Sequence, residues 1–254
     1  MLANKKVFIF DKDDTITSTK WPIESDMASI LSDLSANLKV IIISGSTWQI
    51  MQEQIISLLP AKANLSNWIF LSSGGSRLDY FKNGSFEKFY DEAISSTEFE
   101  RIKRLLIQSL ECLEDSEKPA KVFSEQVENR IGQITLSALG QIAPKELKVV
   151  WDHDRTKRHK MKAWLDARIT SYDIKIGGST SIDVTKKGVN KEFGVRKVIE
   201  FLDVSIVDCV YFGDSLEPGG NDAIVKNIAG LETIAVEDER ETLKILQSSN
   251  LIKD

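Results

Sequence analysis

Two cysteines in 254 residues, Cys112 and Cys209, supply neither a disulfide framework nor a metal motif. Both thiols are therefore expected to be reduced and to serve as small apolar side chains. No apolar run approaches the roughly eighteen residues needed to span a bilayer. The chain enters a strand-like segment at Lys5 without the charged, apolar and small-residue stretches of a secretory leader. These absences argue against a membrane role and make a cytoplasmic location the expectation. No long block of like charges occurs and the net charge is -5, so the basic footprint of nucleic-acid or acidic-membrane binding is also lacking. Neither an internal repeat nor a low-complexity segment marks a linker.

What is present is a series of short apolar runs, each closed by small polar or acidic residues. Lys5 to Phe10 ends in Asp11, Val40 to Ile43 ends in Ser44-Gly45-Ser46, and Trp68 to Leu71 ends in Ser72-Ser73-Gly74-Gly75. Between them, Glu24 to Leu38 has helical spacing through Met27, Ile30, Leu31, Leu34 and Leu38, and Trp48 to Leu58 also reads as a helix. Continuous apolar strands alternating with helices predict a parallel sheet covered on both faces. The pattern then changes. Arg77 to Tyr80 and Phe86 to Tyr90 flank Lys82-Asn83-Gly84-Ser85, a hairpin signal. A helix is predicted over 96–113, strand pairs over 121–127 with 133–137 and over 173–176 with 181–184, and a helix through 161–167. From Asn190 the strand–helix alternation returns, with strands over 207–212 and 232–236. The fold class is therefore α/β. The parallel-sheet domain takes residues 1–80 and 188–254, and 81–187 form an α+β insert. An insert over the carboxyl ends of the strands sits where open α/β sheets bind ligands.

The segment Asp11-Lys12-Asp13-Asp14-Thr15 carries the chemistry. Carboxylates crowded at a strand end repel one another unless a cation is present, and a hard divalent ion such as Mg²⁺ fits oxygen ligands. Asp11 is placed to attack phosphorus, and Asp13 to protonate the leaving oxygen and then deprotonate the next acceptor. Thr15 and nearby amides can hold phosphate oxygens. Ser44 and the Gly45 amide end the second strand and can do the same, although a serine there can equally cap the next helix. Lys191 opens a helix, where it can neutralise phosphoryl charge. Asp214 ends a later strand as a further metal carboxylate, with Asn221 and Asp222 as additional or outer ligands.

In this order, the strand-end DxDxT, Ser44, Lys191 and Gly213-Asp214 with Asn221-Asp222 resemble the four motifs of the haloacid dehalogenase-like superfamily. The resemblance implies a Rossmann-like core, with Mg²⁺ held by Asp11, the Asp13 carbonyl and Asp214, and with Ser44 and Lys191 holding phosphate. The insert lies between the second and third motifs and resembles the type IIB cap. The segments Glu128-Asn129-Arg130-Ile131-Gly132, Ser137-Ala138-Leu139-Gly140 and Gly177-Gly178-Ser179-Thr180-Ser181-Ile182-Asp183-Val184 resemble the eukaryotic-type phosphomannomutases of that group. The resemblance implies that Ser181 and Asp183 contact a sugar phosphate, that Arg130 lies by the cap-side surface, and that two chains pair through their caps.

Two departures bear on activity. Gln141 stands where those mutases carry an arginine that clamps the second phosphate, and a neutral amide cannot replace a fixed guanidinium. Asp14 stands where they usually have glycine. Loss of the clamp makes hydrolysis of a small phosphorylated metabolite, a sugar phosphate foremost, the first expectation. A phosphomannomutase-like isomerase is the alternative and a non-catalytic binding protein a remote one. The segment from Trp151 to Lys160 is read as a solvated loop entering a helix; its basic residues could instead face substrate, and His153 with His159 could hold a second metal.

Overall fold

Side-chain alternation along β1 (Val7–Asp11) sets the layering of the first part of the chain. Val7 and Ile9 face one side of the sheet and Phe8 and Phe10 the other, and all four are buried. The computed structural model describes residues 2–130, 132–249 and 251. They divide into two compact units, Met1–Asp91 with Val189–Asp254, and Glu92–Gly188.

In chain order β1 is followed by β2 (Lys39–Ile43), β3 (Trp68–Ser72), β4 (Arg77–Lys82) and β5 (Ser85–Asp91). The second unit holds β6 (Val127–Asn129), β7 (Gln133–Ser137), β8 (Tyr172–Ile176) and β9 (Ser181–Lys186). The return segment adds β10 (Cys209–Gly213) and β11 (Glu232–Ala235). The helices are α1 (Ser25–Leu34), α2 (Trp48–Gln54), α3 (Ser96–Ser109), α4 (Lys145–Trp151), α5 (Thr156–Asp166), α6 (Lys191–Leu202) and α7 (Glu239–Ser248).

The first unit is built on a sheet of order β11-β10-β1-β2-β3-β4-β5, parallel from β11 to β3 and antiparallel beyond it. Phe8, Phe10, Ile42, Phe70 and Phe212 pack under α1, α2 and α7 through Met27, Leu31, Met51 and Leu246. Val7, Ile9, Ile41, Leu71 and Tyr211 pack under α6 through Val195 and Val198. The β4–β5 hairpin belongs to this sheet, turned at Asn83 and Gly84, both at positive φ (53° and 86°).

The second unit is an antiparallel sheet of order β6-β7-β9-β8 covered on one face by α3 and α5. Ile134, Leu136, Ile182 and Val184 face Ile102, Leu106, Met161 and Leu165. The alternate positions Thr135, Ser137, Ser181 and Asp183 make the other face polar.

Three elements differ from expectation. Residues 121–126 form no strand, because their backbone makes only scattered bonds to the 137–141 turn, such as Phe123 N to the Leu139 carbonyl. Helix α4 was not expected; Leu147, Val149 and Val150 are all exposed, so no buried stripe advertises it. After Asp214 the chain makes a short 3-10 helix, Ala223–Asn227, rather than an α-helix.

Candidate active site

The pleat of β1 that turns Val7 and Ile9 toward α6 turns Asp11 the same way. Helix α6 comes close to the strand ends because two glycines meet: a Cβ on Gly194 would lie 2.8 Å from the Gly75 Cα. The N-terminus of α6, capped by the Asn190 side chain accepting from Phe193 N, thereby brings Lys191 to Asp11. Lys191 Nζ lies 2.6 Å from Asp11 Oδ1 and 2.6 Å from Asp222 Oδ1, and it reaches Asn221 Oδ1 at 3.4 Å. Asp222 is held from two further sides. The Tyr211 hydroxyl donates to its Oδ1 at 2.5 Å and Ser215 N to its Oδ2 at 3.3 Å. Asp214 follows β10 and accepts from the Ser215 hydroxyl at 3.0 Å.

One carboxylate oxygen from each of Asp11, Asp214 and Asp222 lies within 4.8 Å of the others. A buried set of hard oxygen donors of this kind fits Mg²⁺. Burial pushes the Asp11 carboxyl up to about 7; the Lys191 ammonium opposes this and the Asp222 charge adds to it. Burial likewise raises Asp214 and puts the Tyr211 phenol well above its ordinary value. Lys191 remains a cation, its two carboxylate partners more than offsetting its burial.

Thr15 is fully buried, and its hydroxyl has no partner. A buried hydroxyl without a partner has a hydrogen bond left to give. Ser44 is buried after β2, with its hydroxyl accepting from Ser46 N at 3.0 Å. The helix cap falls to Thr47 instead, so Ser44 is not spent on capping α2. Gly45 is exposed next to it.

Asp13 Oδ1 accepts from Lys12 Nζ at 2.9 Å and from Lys20 N at 2.7 Å. Asp14 has φ 56°, in the left-handed region that favours glycine and that aspartate tolerates. Its carboxylate is bound by the Thr19 amide (2.9 Å) and hydroxyl, so it is committed to the loop.

In the second unit, Asp183 and Ser181 share the polar sheet face. The Thr135 hydroxyl donates to Asp183 Oδ1 at 2.7 Å, and Gly177 leaves room for the carboxylate, since a Cβ there would lie 2.5 Å from Oδ2. Burial holds Asp183 above the usual carboxylate range, with the Thr135 hydrogen bond and the Arg130 charge opposing. Arg130 pairs with Glu128 at 2.9 Å. Ile131 of the same segment lies outside the described residues. Gln141 donates its side-chain amide to the Gln126 carbonyl at 3.2 Å.

The 151–160 segment is not a solvated loop throughout. Asp152 and Arg158 are fully buried and paired at 2.6 Å, and Arg158 also donates to the Gly177 and Gly178 carbonyls. His153 and His159 are exposed, and among the described residues the group able to hold a metal is Asp11, Asp214 and Asp222. Lys12, Tyr211 and the Asp152–Arg158 pair were not singled out from the sequence. The lysine inside the DxDxT loop and the tyrosine interrupting an apolar strand were the available signals.

The family described as eukaryotic phosphomannomutase matches residues 27–250. Phosphomannomutase 2 of Dictyostelium discoideum is 27% identical, over 97% of each chain. The phosphomannomutase of Encephalitozoon cuniculi is 24% identical over 94% of this chain and 91% of its own. Among solved structures, an N-terminally truncated, IMP-bound IMP-nucleotidase of Plasmodium falciparum has a TM-score of 0.66 at 17% identity, over 96% of this chain and 68% of that one. A trehalose-6-phosphate phosphatase related protein has a TM-score of 0.53 at 16% identity, over 94% and 95%. These two share the haloacid dehalogenase-like fold, a Rossmann-like core with an inserted cap.

Proposed function

The chain belongs to the eukaryotic phosphomannomutase family, and from that premise we propose that it transfers a phosphoryl group of a hexose phosphate through Asp11, as a sugar phosphomutase. The comparisons back this reading better than the hydrolysis that the loss of the arginine clamp suggested, since relatives named phosphomannomutase align along core and cap alike. The observation that carries the chemistry is the Lys191 ammonium, 2.6 Å from both Asp11 and Asp222 beside Asp214. It sets a buried carboxylate next to a fixed cation, as an attack on phosphorus requires.

Asp11 forms the new bond to phosphorus while the bond between phosphorus and the sugar oxygen breaks, and Asp13 gives its proton to that departing oxygen. Phosphorylated Asp11 then gives its phosphoryl group to the free hydroxyl of a hexose monophosphate, Asp13 taking that hydroxyl's proton, and the bisphosphate so formed turns end for end and returns its other phosphoryl group to Asp11. Lys191 neutralises charge on the moving group, and the Thr15 hydroxyl and the Ser44 turn hold its oxygens. Mg²⁺ held by Asp11, Asp214 and the Asp13 carbonyl would supply further charge neutralisation when bound. Ser181 and Asp183 read the sugar hydroxyls.

Hydrolysis is retained as a second reading on one observation. Gln141 offers no charge for a second phosphate, and its amide already serves the Gln126 carbonyl. Mannose 1-phosphate with a trace of hexose bisphosphate and Mg²⁺, followed by phosphorus NMR, separates the two. The mutase reading expects the 6-phosphate to accumulate without free phosphate. Steady release of free phosphate would replace it with hydrolysis.

A further inference from the structure

We propose that Lys12 is a positioning residue that aims the Asp13 carboxylate; this rests on the reading of Asp13 as proton donor and acceptor. Lys12 is 0% exposed and among the bulkiest fully buried side chains of the chain. Lys12 follows the last residue of β1 directly, at the turn into the reactive loop. A leucine or methionine would fill such a place without the cost of taking an ammonium out of water. The burial is compensated by one hydrogen bond, from Lys12 Nζ to Asp13 Oδ1 at 2.9 Å, with no second partner among the described residues. A buried cation whose partner is the neighbouring carboxylate serves that carboxylate.

The geometry says how. Asp13 Oδ1 takes a second donor, Lys20 N, at 2.7 Å. With both donors on one oxygen, rotation of the carboxylate breaks two bonds at once, so Oδ2 keeps one direction. The Asp13 side chain is one-third exposed, so the carboxylate is not sealed from a ligand. The Lys12 main chain is fixed as firmly. Its carbonyl accepts from Ile16 N at 3.0 Å and Thr17 N at 3.1 Å, and from the Thr17 hydroxyl at 3.3 Å. Lys12 therefore ties the reactive loop together by its backbone and aims the loop's proton carrier by its side chain. In the step concerned, an Asp11 oxygen bonds to phosphorus, the phosphorus–oxygen bond to the sugar breaks, and the Asp13 proton passes to the sugar oxygen. A displaced proton carrier raises the barrier only where the leaving oxygen needs that proton.

The full chain is assayed for kcat/KM, which reports phosphoryl transfer between Asp11 and the substrate oxygen, on mannose 6-phosphate with a trace of hexose bisphosphate and on p-nitrophenyl phosphate. A sugar alkoxide needs a proton to leave, whereas p-nitrophenolate does not. Lys12→Met is expected to lower kcat/KM about tenfold or more on the sugar phosphate and by a smaller factor on the aryl ester, with an unchanged or higher Tm. Lys12→Gln, which keeps a donor for Oδ1, should recover part of the sugar-phosphate loss, and it carries the same comparison if the methionine variant does not fold. Equal losses on both substrates, or no loss on the sugar phosphate, would overturn the proposal. Asp13→Asn is run in parallel. If it shows no difference between the substrates, the proton-carrier reading of Asp13 fails and this proposal with it. If it shows a large difference while Lys12→Met shows none, the Lys12 proposal alone fails.

Discussion

Asp11 holds its proton more tightly in the folded chain than in the unfolded one, because burial outweighs the pull of Lys191. Through this group the native state binds more protons between the ordinary value of 3.8 and about 7, so without metal the contribution of Asp11 to stability falls as pH rises through that window. Mg²⁺ needs the deprotonated carboxylate and removes the repulsion among Asp11, Asp214 and Asp222. Saturating Mg²⁺ should therefore raise Tm by about 5–10 °C at pH 8 and by much less at pH 5.5, read by scanning fluorimetry. An equal rise at both values would place the ion elsewhere. Asp11→Asn should abolish most of that rise and lower turnover by about four orders of magnitude or more. Tyr211→Phe leaves the Asp222 Oδ1 with Lys191 as its remaining donor, so it should cost about 1–2 kcal/mol in urea unfolding and lower kcat with KM nearly constant. Asp11, Lys191 and Asp214 were legible in the sequence because each closes an apolar run or opens a helix. Tyr211 was not, because a tyrosine in a buried strand reads as core. Only its hydroxyl, 2.5 Å from Asp222, gives it a second task.

Arg158 shows what an element can hide. It begins α5 in a run of basic residues that composition assigns to solvent, yet its guanidinium is buried between Asp152 and the turn joining β8 to β9. Asp152 also accepts from Lys157 N at 2.9 Å and Arg158 N at 3.2 Å, satisfying the first turn of α5. One ion pair thus closes a helix start and fixes the Gly177-Gly178 turn leading to Ser181. Arg158→Met strands a buried carboxylate and should cost about 3–5 kcal/mol by chemical denaturation. At temperatures where it stays folded, KM for the sugar phosphate should rise more than kcat falls if Ser181 and Asp183, to which the loosened turn leads, bind the sugar as proposed; a pure kcat effect would contradict this. Apolar continuity made β1, β2, β3 and β10 legible, and Asn83-Gly84 announced the β4–β5 turn. Strand character over 121–126 and the absence of α4 were misjudged for one reason. Both segments lie at the rim of the second unit, where side-chain burial does not impose a period.

At the scale of the whole chain, each unit has its own core and its own handle on stability. The carboxylates able to hold a metal ion, Asp11, Asp214 and Asp222, all belong to the first unit. The second unit carries its own strained charge in Asp183. Because burial holds that carboxyl above the ordinary range, its ionisation costs stability as pH rises past the ordinary value of 3.8. Asp183→Asn removes this cost, so at pH 7 the variant should melt higher than the parent while binding sugar phosphate less tightly, the usual conflict between a binding group and its scaffold. The family resemblance singled out Ser181 and Asp183 on that face, but not the polar face as a whole or the burial of one carboxylate on it. The two handles give a test that resolves the chain by region. In hydrogen exchange at pH 7, Mg²⁺ should slow exchange in peptides covering β1, β10 and the start of α6 and leave α3 and α5 unchanged. Asp183→Asn should do the reverse. If either perturbation protects both sets equally, opening involves the whole chain as one cooperative body, and a ligand on one unit stabilises the other by the full amount of its binding energy.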